Sequence, residues 1–497
     1  MSKAETPRYR FGPLERRGVL AGLRGSQLAT ALVTGVAVVV SLRSSPSMSG
    51  IGIAMAVACV GAAFAFIPIS GRTGDEWLPV LASWLVRTTT RGRRFVSPAP
   101  ISGATARLDT APFFPPALRD VQVLAHAVPG AGHALGVVKD KRHGTYTGVL
   151  AVQGRSFALL DAPEKSRRLS AWAGVLAGMA REGAAIHRVQ WIERTVPDSG
   201  DEIGEYLKRN IAVPLDSRLA RSYLEIVDEA GPVTQEHELF VALQIHAGRC
   251  GRAIKAAGGG DTGACEVLRR ELAALATTLS GIEVMVEGAL TPRLLAHAIR
   301  TSFDPSSRAD LAAVATRDSE RAGTEVGAAG PMATEESWSS YRSDGAWHAT
   351  YWIAEWPRVD TDADFLAPLL LRTEAMRTVS LVMEPISPLK AIRTVEAART
   401  SAAADEELRL RAGFVLTTRR KKEHDSLADH ERDLSDGHAF YRFSGYITVT
   451  ASTPDELVSA CGEIEEAAGR CFLDIRRLVG SQAEAFTYSL PLCRGLR

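Results

Sequence analysis

Residues 48–69 read "MSGIGIAMAVACVGAAFAFIPI", 22 positions without a single charged side chain. At about 1.5 Å per helical residue such a run reaches roughly 33 Å, matching a hydrocarbon core about 30 Å thick. A second uncharged run, "LATALVTGVAVVVSL" from Leu28 to Leu42, lies just before it and by itself reaches only about 22 Å. Gly25 to Gln27 and the stem of Arg24, with its head snorkelling to the headgroups, supply the missing turn. Between the runs stands "RSSPSMS", which contains Pro46 and is too short for anything but a turn between antiparallel helices. The sequence therefore predicts a helical hairpin that crosses a membrane twice.

Its flanks predict an orientation. Arg10, Arg16, Arg17 and Arg24 precede the hairpin, and Arg72, Arg87, Arg91, Arg93 and Arg94 follow it, against the single Arg43 in the turn. Basic flanks stay on the cytoplasmic side, so both termini and the main body are expected in the cytoplasm of a two-span membrane protein. The alternatives are a signal peptide followed by one span, which would call for a shorter n-region and a small-residue cleavage site, and a buried hairpin of a soluble protein, for which these uncharged lengths between arginines would be unusual.

Charge is distributed unevenly. Residues 1–97 carry twelve Arg or Lys and four Asp or Glu, a net of +8, while the whole chain is at +1, which leaves −7 for the rest. A basic end on a mildly acidic chain points to an anionic surface near that end, and the apolar runs make it a membrane. Six scattered cysteines with no C-x-x-C pair fit neither a zinc site nor a disulfide framework; free thiols fit a reducing compartment.

The chain leaves the second run through "GRTGDEWLPVLASWLVRTTTRGRRF", residues 71–95. Trp77, Leu78, Val80, Leu81, Trp84 and Leu85 recur at three- and four-residue spacings, so a helix here would lie in the interface with its indoles at headgroup depth. Trp77, Trp84, Arg87, Arg91, Arg93 and Arg94 are the candidate membrane-interface residues, with lipid as their partner. The competing reading packs the same stripe on the cytosolic body.

Residues 1–95 are thus a membrane hairpin with a juxtamembrane basic helix. Residues 96–120, rich in Pro and small residues, read as a linker, 121–305 as a first α+β domain, the polar Gly- and Ala-rich stretch 306–337 as a second linker, and 338–497 as a second α+β domain. Both halves read as strand, helix, strand, helical excursion, strand, helix, strand. Their helices share a device: in "TPRLL", "SPLKA" and "TPDELV" a hydroxyl residue (Thr291, Ser387, Thr453) stands before a proline at the first helical position. Thr453 with Glu456 forms a capping box. The fold class is α+β, a two-helix transmembrane hairpin followed by two similar strand-helix-strand halves.

Short catalytic signatures are missing. No G-x-x-x-x-G-K-[ST] occurs, so no P-loop cradles a nucleotide; there is no G-x-S-x-G elbow and no H-E-x-x-H helix. "GAGHALG" (Gly130, Gly132, Gly136) is spaced one residue too wide for a dinucleotide fingerprint, and "AAGGGDTGAC" (258–260, 263) reads as a loop before a helix capped by Asp261 or Thr262. His424, His430 and His438 with Asp425, Asp429 and Asp433 lack the three- or four-residue spacing of a helical metal pair. His187 and His246 fall in strands and read as structural. "RRKK" (419–422) and "KDKRH" (139–143) lack interleaved aromatics, so direct nucleic-acid binding is not expected. Cofactors, metals and catalytic residues are expected to be none.

With hairpin, linker and motif-free body in view, the chain resembles a family of actinobacterial membrane proteins associated with conjugation-like type IV secretion. The resemblance rests on "GRTGDEWLPVLASWLVR", "GVLAVQGRSFALLD" and the C-terminal "LPLCRGLR" (490–497). The hairpin is similar to the small PrgI-type subunit of such systems, and the body to the non-motor N-terminal domain of their secretion ATPases. It implies a non-catalytic membrane-anchored subunit that docks a motor ATPase or channel, with homo-oligomerisation open; without a P-loop, the motors' ATPase activity does not carry over. Two alternatives stand beside it. One is a type VII secretion membrane subunit with two N-terminal spans and a cytosolic α/β domain, the other a membrane-tethered enzyme or ligand-binding protein whose site leaves no short motif.

Overall fold

The computed structural model describes residues 25–44, 47–67, 72–90, 92–97, 113–130, 132–154, 157–197, 210, 213–214, 217–230, 235–308, 323–393, 396–397, 400 and 439–496. The chain divides into two compact units: residues 13–93 with 479–481, and the remainder.

The first unit is helical: α1 (Gly25–Ser44), α2 (Met48–Phe66) and α3 (Gly74–Thr89). The start of α1 at Gly25 supplies the turn that the short run needed. Ser47 caps α2, its hydroxyl accepting from the Gly50 amide at 3.4 Å. Thr73 and Glu76 form a capping box that begins α3, with Asp75 and Glu76 in its first turn, where the helix dipole favours acids.

The second unit is one antiparallel sheet with helices. In chain order it holds β1 (Arg94–Val96), β2 (Val121–Ala127), β3 (Ala134–Asp140), β4 (Thr145–Gln153), α4 (Ala162–Met179), β5 (Ile186–Pro197), α5 (Arg218–Ala230), β6 (Gln235–His246), α6 (Gly251–Ala256), α7 (Gly260–Gly281), β7 (Met285–Ala289) and α8 (Pro292–Phe303). There follow β8 (Ala333–Glu336), β9 (Tyr341–Ser343), β10 (Ala346–Glu355), α9 (Ala367–Leu371), β11 (Arg377–Ile386), β12 (Phe440–Ala451), α10 (Pro454–Arg470), β13 (Asp474–Arg477) and α11 (Gln482–Phe486).

Strand order is β1-β8-β9-β10-β12-β11-β5-β6-β4-β3-β2, with β7 on β4 and β13 on β10. From the middle outward the order is the same on both sides: β5-β6-β4-β3-β2 in one half, β11-β12-β10-β9-β8 in the other. β7 extends the far end of β4 from Leu150 on, as β13 extends β10 from Tyr351 on. The halves meet through antiparallel β5 and β11, with Trp191 opposite Leu381. Antiparallel pairing of equivalent strands places a local two-fold at this seam, so one sheet runs through both halves.

Alternation along the strands sorts the core. Leu150 and Val152 of β4 with Val241, Leu243 and Ile245 of β6 bury against α4 and α7. In the other half, Tyr351 and Ile353 of β10 with Ile447 and Val449 of β12 bury against Leu457, Cys461 and Ile464 of α10. On the opposite face Val149 and Ala242 meet Leu295, Ile299 and Phe303 of α8 together with Phe486, Leu490 and Leu492. The period of two thus places a helical layer on each face.

Several boundaries move. Where the sequence pattern gives a helix over Thr262–Thr278 and a strand from Ile282, α7 runs from Gly260 to Gly281, and β7 starts at Met285 because Glu283 takes φ +65°, a left-handed turn that breaks an extended run. α9 is a short Ala367–Leu371. The short polar strands β8 and β9 have no period to announce them, and β8 occupies the end of the stretch 306–337. The excursion after β11 is helical at 388–393; residues 401–438, with the His424–Asp425–Asp429–His430–Asp433–His438 cluster and "RRKK", lie outside the described residues.

Candidate functional site

The hairpin's two faces are inverted relative to a soluble helix pair. α1 turns Gln27, Leu28, Thr30, Thr34, Val38 and Ser41 toward partial cover, with Gln27, Thr34 and Ser41 recurring every seven residues, and leaves Leu32, Val33, Val36, Val39 and Val40 more than half exposed. α2 buries Gly50, Ala54 and Ala65 and exposes Ile51, Ile53, Met55 and Val60. Gly61 lies so close to Thr34 that a Cβ there would clash, and the Gln27 amide donates to the Ala65 carbonyl at 3.1 Å. Mostly small and polar side chains on the covered faces, with most of the large apolar ones outside, is the arrangement of helices packed in lipid, where close approach and interhelical hydrogen bonds replace hydrophobic burial. Water would favour the reverse.

The exit segment is helical, as its spacing predicts. On α3 the apolar positions separate into two adjoining stripes: Trp77, Val80, Trp84 and Arg87 are partly covered, while Leu78, Leu81 and Leu85 are exposed. Each indole carries a guanidinium. Arg72 stands 5.4 Å from the Trp77 ring centre and Arg93 4.5 Å from that of Trp84, cation–π distances. Arg87 also donates from Nε to the Ser83 carbonyl at 3.3 Å. Arg94 stands apart from the other basic residues: it belongs to β1, paired with β8, and its guanidinium holds Glu335 Oε1 at 2.6 and 2.8 Å. Arg91 lies outside the described residues.

In the body, the glycine-rich stretches have structural roles. Gly130 and Gly132 take φ +77° and +69° in the β2–β3 hairpin, and a Cβ at Gly136 would meet the Thr291 carbonyl at 2.9 Å. Before α7, Gly258, Gly259 and Gly260 all take positive φ, with Gly259 at the N-cap. Asp261 is not the cap: it accepts from Lys139 Nζ at 2.7 Å and from the Tyr146 hydroxyl at 2.8 Å. His187 and His246 stand in β5 and β6, edge to face with ring centres 5.4 Å apart. Burial, then the charges of Arg249 and Arg188, pushes His187 down to about 4. No group of three His, Cys, Asp or Glu among the described residues is placed to hold a metal ion.

Three features are not legible in the sequence. Front and centre, an apolar groove of about 600 Å³ straddles the seam, lined by Trp191, Trp356, Phe365, Phe440 and Phe443 among others; its residues come from both halves. At one end of the seam Glu384 gathers Arg188, Arg249 and Arg442. Across the back, residues 487–496 form a strap, which explains "LPLCRGLR" as packing: Leu490, Leu492 and Cys493 are buried, and Arg494 pairs with Asp140 at 2.6 Å.

Residues 233–353 match the model of a protein family described as "EccE: Putative type VII ESX secretion system translocon, EccE". The matched stretch runs from the start of β6 through α6, α7, β7 and α8 into β10, so it crosses from one half of the sheet to the other and leaves out the hairpin. No curated protein matches the chain. Similarity to this family, taken with two apolar helices long enough to span, supports a secretion-system membrane subunit. It favours the type VII reading over the type IV, conjugation-like and PrgI-type one.

Proposed function

We propose that the protein is a non-catalytic, membrane-anchored subunit of a type VII-like secretion translocon, with its sheet as a cytoplasmic docking body. The observation that carries this reading is the family match over β6 to β10 on a chain whose two N-terminal helices face apolar side chains outward. Partners are then lipid and the other translocon subunits, a secretion motor among them, and a second copy of the chain is compatible with the same role. Arg10, Arg16, Arg17 and Arg24 before the hairpin and Arg72, Arg87, Arg91, Arg93 and Arg94 after it, against Arg43 between its helices, support the placing of both termini in the cytoplasm.

Affinity purification of the full chain in mild detergent tests the reading. Co-elution of other membrane components of a type VII translocon is the expected outcome. Recovery with conjugation-type motors, or of the chain alone under conditions that keep a translocon together, would overturn it.

A further inference from the structure

At the end of the central seam, where β5 begins and β11 leaves the sheet, a cleft of about 310 Å³ is lined by Arg181, Arg249, Lys390 and Arg442 around one carboxylate, Glu384. Arg442 donates to Glu384 Oε2 at 2.8 Å and Arg249 to Oε1 at 3.2 Å, while Arg188 reaches Oε2 at 3.4 Å from behind and otherwise donates to the strap carbonyls of Cys493 and Leu496. The Glu384 side chain is only 13% exposed, whereas those of Arg249 and Arg442 are half exposed. One carboxylate has at most four lone-pair sites and a single negative charge; it organises these guanidinium groups without neutralising them. Each of the two outer arginines offers it one Nη and has further N–H donors to spare. Arg181 and Lys390 are exposed and have no ion-pair partner among the described residues.

A largely covered acid ringed by more cations than it can satisfy is an unfavourable arrangement for stability alone. Like-charged guanidinium groups gathered at one mouth gain most from a compact, multiply charged anion, and planar N–H forks suit phosphate oxygens. We infer that this cleft binds a phosphate group, with Arg249 and Arg442 as its principal ligands, held in place by Glu384, and with Arg181 and Lys390 closing on it from the rim. The volume exceeds that of a bare phosphate and leaves room for a small attached alcohol. The phosphate is therefore that of a free small phosphomonoester or of an anionic lipid headgroup, the same chemistry from two sources.

The test uses the full chain in nanodiscs. In phosphatidylcholine discs, inorganic phosphate and glycerol phosphate are titrated by equilibrium dialysis, with the same titration repeated in discs containing phosphatidylglycerol. Saturable binding in the neutral discs is expected, weakened at least tenfold in Arg249→Gln/Arg442→Gln and several-fold in Arg181→Gln/Lys390→Gln, exposed residues with no ion pair among the described residues, whose replacement is expected to leave the far-UV circular dichroism unchanged. Glu384→Gln, which keeps one acceptor oxygen to position the guanidinium groups and removes the competing charge, is expected to tighten binding. Unchanged affinity in the anionic discs assigns the site to a free phosphomonoester; loss of probe binding there assigns it to the lipid headgroup. Absence of saturable binding in neutral discs, or binding that ignores both double variants, would overturn the inference.

Discussion

Gln190, in the middle of β5, holds Cys493 in the C-terminal strap through a hydrogen bond of 2.7 Å from the Cys493 amide to the Gln190 Oε1. Its Nε2 lies within 2.8 Å of the Ser380 hydroxyl, 2.9 Å of the Leu490 carbonyl and 3.0 Å of the Tyr488 carbonyl. One fully buried amide therefore ties together both halves of the sheet and the chain's end. Replacing it by methionine, which keeps the volume but not the polar atoms, leaves a buried amide N–H without its acceptor and removes a donor from two carbonyls. The expected cost is about 3 kcal/mol, at 1–3 kcal/mol per stranded group. Urea unfolding of Gln190→Met against the parent measures it, and a loss below about 1 kcal/mol would mean that the strap does not depend on this amide.

Acid sensitivity is expected from His348. The ring is fully buried, in contact with the Ser343 and Thr450 hydroxyls at 2.8 and 3.0 Å and the Phe303 carbonyl at 3.2 Å. Burial pushes its pKa down to about 4 from 6.5. The folded state holds the ring neutral where the unfolded chain already protonates it. Stability is therefore unaffected above pH 6.5, falls as pH drops below that, and stops falling once pH passes below about 4. At pH 5 the loss amounts to about 2 kcal/mol. Denaturant melts at pH 7.5 and 5 should show this difference, and His348→Gln should shrink it; an equal difference in both proteins would refute the assignment.

For α3, two contributions should separate. If Trp77 and Trp84 seat the helix at headgroup depth and Arg87, Arg91 and Arg93 attract anionic lipid, each near-surface arginine contributes about 1 kcal/mol and is screened by salt. A peptide of residues 72–95 should bind anionic vesicles, lose much of that affinity in high salt, and lose about fivefold per arginine replaced by glutamine. Trp77→Ala/Trp84→Ala should weaken binding at every salt concentration, because apolar burial is lost. Arg94→Gln should matter less in the intact protein than Arg93→Gln, since Glu335 already holds Arg94. A peptide that ignores vesicles would return the stripe to ordinary packing.

Orientation is open to a direct check. An alkaline phosphatase fusion at Ser47 should be active and one at Arg497 inactive, as basic residues flank the hairpin on both sides. The opposite pattern would place the sheet outside the cytoplasm.

Where periodicity was strong the fold was legible. The strand patterns over Val121–Ala127 and Thr145–Gln153 and the helical pattern over Pro454–Arg470 coincide with β2, β4 and α10, and Thr291 and Thr453 cap α8 and α10 as "TPRLL" and "TPDELV" imply, with the Thr291 hydroxyl 3.3 Å from the Leu294 amide and that of Thr453 3.2 Å from the Glu456 amide. Repetition of the pattern showed that the halves are alike. It could not show that they share a sheet, because the pairing of β5 with β11 joins residues nearly two hundred positions apart and leaves no local trace. The same holds for the Glu384 cluster, assembled from three strands and the turn after β6. Arg188, Arg249 and Arg442 look in sequence like ordinary surface charges, and only the register brings them to one carboxylate.

The inverted faces of the hairpin bear on how the protein is made. α1 leaving the ribosome first presents Gln27, Thr34 and Ser41 on one side, polar groups that hydrocarbon does not solvate, and its apolar run is the shorter of the two. Until α2 arrives with Gly61 beside Thr34 and the Ala65 carbonyl within reach of Gln27, that helix has little reason to stay among lipids. The two spans are therefore suited to enter the bilayer together, folded against each other, and a chain that stops after α1 would release that helix back to the insertion machinery.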